Sequence, residues 1–194
     1  MTLGVRIHAR KVKGGLPDWA GDLLEEMRVA LGDDPNWSRR LQSVRAGSTL
    51  IRIHLAIFVE PYLSFILDGS KTVESRFSVT KCAPYGRVGC GDIVMLKRAG
   101  GPVTGVCLIS NVWSYELDPQ SWDHIKKKFS RPLRIAGAEF WEQRRSAQFA
   151  TLMMISDVCR VAPINIRKKD RRGWVIVHSG EQGRLNYDDN NVLR

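Results

Sequence analysis

The chain has 194 residues, 43% of them hydrophobic and 26% charged, with a formal net charge of +10. That is the composition of a globular protein with one buried core and room for extensions, and it excludes disordered and collagenous classes. No stretch approaches the roughly 18 apolar residues of a membrane span, and residues 1–13 hold cations but no apolar signal core, so a cytoplasmic protein without membrane contact is expected.

The charge is one-sided. Residues 121–194 carry about +7 of it, an excess that favours polyanionic partners through phosphate neutralisation. Cys82, Cys90, Cys107 and Cys159 lack C-x-x-C spacing and neighbouring histidines, which suggests neither a zinc site nor a disulfide framework. No cofactor and no metal is expected.

In chain order, Ala20, Leu23, Leu24, Met27 and Leu31 recur at helical spacing between Pro17 and Gly32 and predict an amphipathic helix. Asp34-Pro35, a cap followed by a first-turn proline, opens a second helix with Trp37, Leu41 and Val44 on one face. These two form an N-terminal appendage over residues 1–47. Their apolar stripes are read as packing onto the main domain, with docking of a protein partner or dimerisation as the alternative.

Leu50 to Val59 alternates apolar residues with Arg52 and His54 and then becomes continuously apolar, the pattern of a strand entering a closed core; His54 is read as a polar strand residue. Glu60-Pro61 starts a short helix that Gly69 stops. From there the chain reads as a strand, which places Thr72, Glu74, Arg76, Ser78 and Thr80 on a polar face and Val73, Phe77 and Val79 on an apolar one. Lys71 sits at the turn, within reach of Glu74. A cation, a carboxylate and a second cation would then surround one concave mouth.

Cys82 to Gly91 has a loop composition, but Gly86, Gly89 and Gly91 match neither the dinucleotide fingerprint nor the Walker pattern. Ile93 to Leu96 and Val103 to Trp113 form a hairpin across Gly100-Gly101-Pro102, with Lys97 and Arg98 toward its tip. Asp118-Pro119 caps a helix with Trp122, Ile125 and Phe129 inward and Lys126, Lys127 and Lys128 in its last turn. A short helix over Ala138 to Arg145, a strand over Phe149 to Val161 and a last strand over Trp174 to Val177 follow. Residues 179–194 have little to bury and read as a flexible tail.

On residues alone, Lys71, Glu74 and Arg76 could be a solvated ion ladder worth a few tenths of a kcal/mol per pair. The run Gly69 to Arg76, however, reads G-x-K-x-x-E-x-R, and with the preceding LAIFVEPYLSFIL of Leu55 to Leu67 it resembles the signature of the ASCH family, the activating-signal-cointegrator homology domains. The resemblance extends through Gly86 to Val94, the hairpin, and Asp170 to Trp174. It implies an α+β, PUA-like fold over residues 48–178, a small β-barrel surrounded by helices. It also implies an RNA or nucleotide recognition module whose cleft is lined by the motif. The expected binding residues are Gly69, Lys71, Thr72, Glu74, Arg76, Ser78, Lys97, Arg98, Arg171, Arg172 and Trp174.

The same resemblance supplies a rival. One branch of ASCH-like proteins hydrolyses the acetyl amide of N4-acetylcytidine through the motif lysine, and ribonuclease activity is attributed to others, so Lys71 and Glu74 would be the catalytic pair if the chain is an enzyme. That branch carries Thr where this chain has Glu74, with Glu116 and Glu139 the acids available for its second catalytic position. Whether the chain is an enzyme, and its oligomeric state, are left open by the sequence.

Overall fold

The structure, a computed structural model, describes residues 18–45, 50–166 and 172–179. Arg171 and the tail from residue 180 onward lie outside them. The elements in order are α1 (Asp18–Ala30), α2 (Pro35–Arg45), β1 (Ile53–Phe58), α3 (Tyr62–Leu67), β2 (Val73–Ser78), β3 (Ile93–Arg98), β4 (Val103–Glu116), α4 (Pro119–Phe129), α5 (Glu139–Glu142), β5 (Phe149–Ile164) and β6 (Trp174–His178). Only α5 is much shorter than its sequence pattern, because the chain turns at Gln143 to Ser146.

The strands form one mixed sheet in the order β2-β5-β4-β3-β1-β6, with β1 and β3 parallel and the other pairs antiparallel. Strands β4 and β5 are long, and their ladder breaks register three times, between Val103 and Gly105, Val106 and Leu108, and Ile109 and Asn111. Such irregularities increase local twist and bend. The sheet therefore curls into a half-barrel with helices around it, the α+β class that the resemblance implies.

The period-2 pattern sorts each strand between two cores. Ile53 and Leu55 of β1, Ile93 and Met95 of β3 and Val177 of β6 point one way and join Ala20, Leu23, Met27, Trp37 and Leu41 in one cluster. Helices α1 and α2 thus pack onto one face of the sheet. Ala56, Phe58, Val94, Leu96, Cys107, Ile109 and Trp174 point the other way and close over Leu63 and Ile66 of α3. A third cluster joins Val73, Ala150 and Leu152 to Ile125, Phe129 and Leu133. Asp118 starts α4 with a full capping box, its carboxylate accepting from the Ser121 amide while Ser121 Oγ accepts from the Asp118 amide.

One glycine is required by contact. A Cβ at Gly105 would lie 2.6 Å from a Leu67 methyl and 3.0 Å from the Cys159 carbonyl, so a side chain there would push α3 away from β4.

Candidate functional site

The motif is placed by backbone hydrogen bonds at both ends. Gly69, with φ of 78°, ends α3 in the left-handed region, and the amide of Lys71 then donates to the Phe65 carbonyl at 2.8 Å. The amides of Thr72 and Val73 both donate to the Pro132 carbonyl, which fastens the start of β2 to the segment after α4. Strand alternation then places Glu74 and Arg76 on one face of β2 and Val73, buried against Ile125, Phe129 and Leu133, on the other.

Inside the curl, Lys71 Nζ lies 3.3 Å from Glu74 Oε2 and donates to the Leu133 carbonyl at 3.2 Å, while Arg76 Nε lies 2.9 Å from Glu74 Oε1. Lys71 is 4% exposed and Glu74 8%, so this is a buried pair rather than the solvated ladder open to the sequence. Burial pulls the Lys71 amine below its ordinary value; Glu74 opposes that shift, and Arg76 and Arg144 reinforce it. The Tyr62 ring lies 5.5 Å from the same ammonium.

Arg76 faces both ways. Its Nη2 donates to the Ile57 carbonyl at 2.9 Å and its Nη1 to the Gly173 carbonyl at 3.3 Å, and its guanidinium lies over Phe58 and Trp174 at 4.9 and 5.3 Å. A side chain from β2, at one end of the sheet order, thereby reaches β1 and the approach to β6 at the other end.

Above this cluster is a cleft of about 270 Å³, walled by Tyr62, Lys71, Glu74, Arg76, Phe140 and Arg144 among others. Arg144 lies 3.7 Å over the Phe140 ring and donates to the Phe140 carbonyl at 2.7 Å. Burial lowers its pKa, against the pull of Tyr62 and Glu74. Phe140 is held by edge contacts with Tyr62, Phe77 and Trp141, and Phe77 stacks on Trp122 at 5.3 Å. The space is small for a drug-sized ligand and suits one planar group between aromatic walls, with donors on its floor.

Of the expected site residues, the structure brings Lys71, Glu74, Arg76 and Trp174 into one connected group. Trp174 is 5% exposed and packs beneath Arg76 instead of lining the cleft. Gly69 makes the turn, Thr72 is exposed beside it, and Ser78 donates to the Thr80 carbonyl at 2.8 Å. Lys97 is buried and donates to the carbonyls of Arg98 and Gly101 within its own hairpin, and Arg98 pairs with Glu60. Arg172 is exposed.

Tyr62, Phe140 and Arg144 were not among the residues singled out from sequence. Neither was a buried relay behind the cleft: Trp174 Nε1 donates to His54 Nδ1 at 3.1 Å, and His54 Nε2 faces Asp92 Oδ2 at 3.1 Å. An indole nitrogen can only donate, so His54 Nδ1 accepts and its proton lies on Nε2, toward Asp92. Asp92 also accepts from the amides of Arg52 and Gly89, at 2.9 and 2.7 Å. His54 and Asp92 are a polar residue in an apolar strand run and an acid at a strand start, the one local signal that could have paired them.

No family model and no curated protein matches the sequence. Among solved structures, a tyrosine-to-phenylalanine mutant of ZmASCH from Zymomonas mobilis aligns with a TM-score of 0.53 at 12% identity, over 69% of this chain and 95% of that one. A serine-to-alanine mutant of the same protein gives a TM-score of 0.53 at 12% identity, over 69% and 93%. The chain thus has an α+β fold of the kind seen in ZmASCH. Its fold is ASCH-like.

Proposed function

We propose that the protein is a recognition module of ASCH type that takes an RNA base or a nucleotide into the Lys71 cleft. The observation that carries this reading is the buried Lys71–Glu74–Arg76 cluster at the floor of a small aromatic-walled cleft. Tyr62 and Phe140 offer ring faces to a base, Arg144 and Lys71 offer cationic donors to a phosphate or carbonyl, and Glu74 offers an acceptor to an exocyclic amine. The ASCH-like fold supports an RNA partner in general, as does the basic excess of residues 121–194.

Lys71→Ala should weaken binding of the preferred nucleotide by about 1–3 kcal/mol, roughly five- to 150-fold. Titration calorimetry against the nucleoside monophosphates and a panel of modified nucleosides measures it. Unchanged affinity for every ligand that binds would remove the cleft from the interaction.

A hydrolytic reading has one observation in its favour. The lowered Lys71 pKa moves the amine toward the neutral form that a nucleophile or general base needs. On that reading mass spectrometry should detect deacetylation of N4-acetylcytidine or cleavage of RNA, and Lys71→Ala should abolish turnover while much of the binding survives.

A further inference from the structure

We propose that a second, larger groove, running on from the Lys71 cleft, holds a single strand of RNA whose backbone follows Arg131 and Arg134. The choice of RNA rests on the recognition reading above; the groove itself rests on different residues. It lies between α3 and the segment 130–144, encloses about 930 Å³, and shares Tyr62, Phe140 and Arg144 with the cleft. A ligand in one can therefore continue into the other without leaving the protein surface.

The walls carry an excess of positive charge. Arg131, Arg134 and Arg144 line the groove, and the one carboxylate among its lining residues, Glu139, accepts a hydrogen bond from Gln143 at 2.8 Å. Arg131 and Arg134 are exposed and, among the described residues, form no salt bridge. Arg134 has φ of 60°, and a turn closed by the Ile135 amide on the Ser130 carbonyl holds it there. Its guanidinium lies 5.0 Å over the Phe65 ring. A guanidinium laid on a ring keeps its edge donors for phosphate oxygens.

Aromatic residues alternate with these cations. Tyr62, Phe65 and Phe140 line the groove and are half-buried, with Arg134 laid on Phe65 and Arg144 on Phe140, so the groove offers guanidinium planes as well as ring surface. Cations interleaved with ring faces suit unpaired bases, which can stack on them; a duplex has already stacked its bases and presents chiefly phosphates and sugars. The chemistry of the walls therefore selects a single strand.

Fluorescence anisotropy on the full chain, with a labelled ten-nucleotide RNA of mixed sequence, its duplex and the four nucleoside monophosphates, tests this. The single strand should bind about tenfold tighter than the duplex. Arg131→Ala/Arg134→Ala should weaken the single strand about tenfold and flatten the salt slope by about 1.4, the value for two lost phosphate contacts on a single strand. Monophosphate affinity in the double variant should match wild type, because neither arginine lines the cleft. Circular dichroism confirms that the variant is folded. The proposal is overturned by single-strand affinity and slope that survive the double substitution, by duplex binding as tight as single-strand binding, or by a wild-type protein that binds no strand. A wild type that ignores every monophosphate but shows the Arg131/Arg134 effect upholds the groove and rejects the nucleotide reading of the cleft.

Discussion

Glu74 is the residue on which the motif turns, because two cations approach its two oxygens, Lys71 from the turn before β2 and Arg76 from β2 itself. The spacing of Glu74 and Arg76 on one strand face was legible in the sequence, since a strand's side chains alternate. The desolvation of Lys71 was not. Around its ammonium lie the Leu133 carbonyl, which accepts a hydrogen bond from it, and the Tyr62 ring, groups far from it in the chain or on another element. Glu74→Gln would leave two largely buried cations without their counter-charge, and should cost about 3 kcal/mol of stability in denaturant unfolding, the scale of a broken buried pair. For Lys71 the sign of the pH effect follows from its lowered pKa. Between the folded value and the ordinary 10.5, the unfolded chain binds more protons, so the contribution of Lys71 to stability rises with pH across that window and is lost as pH falls through the folded value. The stability of wild type relative to Lys71→Met should therefore increase on approaching pH 10.5. A difference that stays flat with pH would mean the amine is not desolvated.

At the scale of elements, the helices were readable from periodicity and caps, and α1 and α2 lie within one residue or two of their expected ends. What the pattern did not specify was how much of the sheet they cover. Ile53, Leu55, Ile93 and Met95 are all at most 2% exposed because α1 and α2 lie on them, so residues 18–45 share a core with the strands. Burying each such side chain contributes about 1.5–3 kcal/mol. A chain beginning at residue 46 should therefore expose a contiguous apolar sheet face and aggregate. Size-exclusion chromatography of the truncated protein measures this; a soluble monomer with native-like circular dichroism would show that the helices merely lean on the sheet. Segment 130–144 was the least legible. It forms one short helix and several turns, and its position is set by tertiary contacts: Pro132 to β2, and Phe140 and Trp141 to Phe77. A sequence reading that follows hydrophobic period has little purchase on such a segment, although it supplies Phe140 and Arg144 to the cleft.

For the whole molecule, the question is what holds a half-barrel in its curl when β2 and β6, the two ends of the sheet order, do not pair with each other. Arg76 bridges that gap by donating to Ile57 and Gly173, and Gly173 O also accepts from the Ile57 amide at 2.9 Å. Beneath it, Trp174 is anchored through His54 to Asp92, so the bridge rests on a buried polar chain that reaches the start of β3. The cleft opens directly above. Its shape consequently depends on the same guanidinium that closes the sheet, and ligand recognition and fold stability should respond together at this position. Arg76→Lys separates charge from geometry. It keeps a cation for Glu74 but loses the planar fork that reaches two carbonyls while stacked between Phe58 and Trp174. Losing those hydrogen bonds, at about 1 kcal/mol each, should lower the thermal midpoint on the order of 5 °C for a chain of this size. Nucleotide affinity should fall with it, because the sheet ends that flank the cleft are no longer tied. Calorimetric melting and titration of the same Arg76→Lys sample read both quantities. A variant that melts like wild type would show that the curl is held by the helices and the core alone, and that Arg76 serves only the charge balance of Glu74.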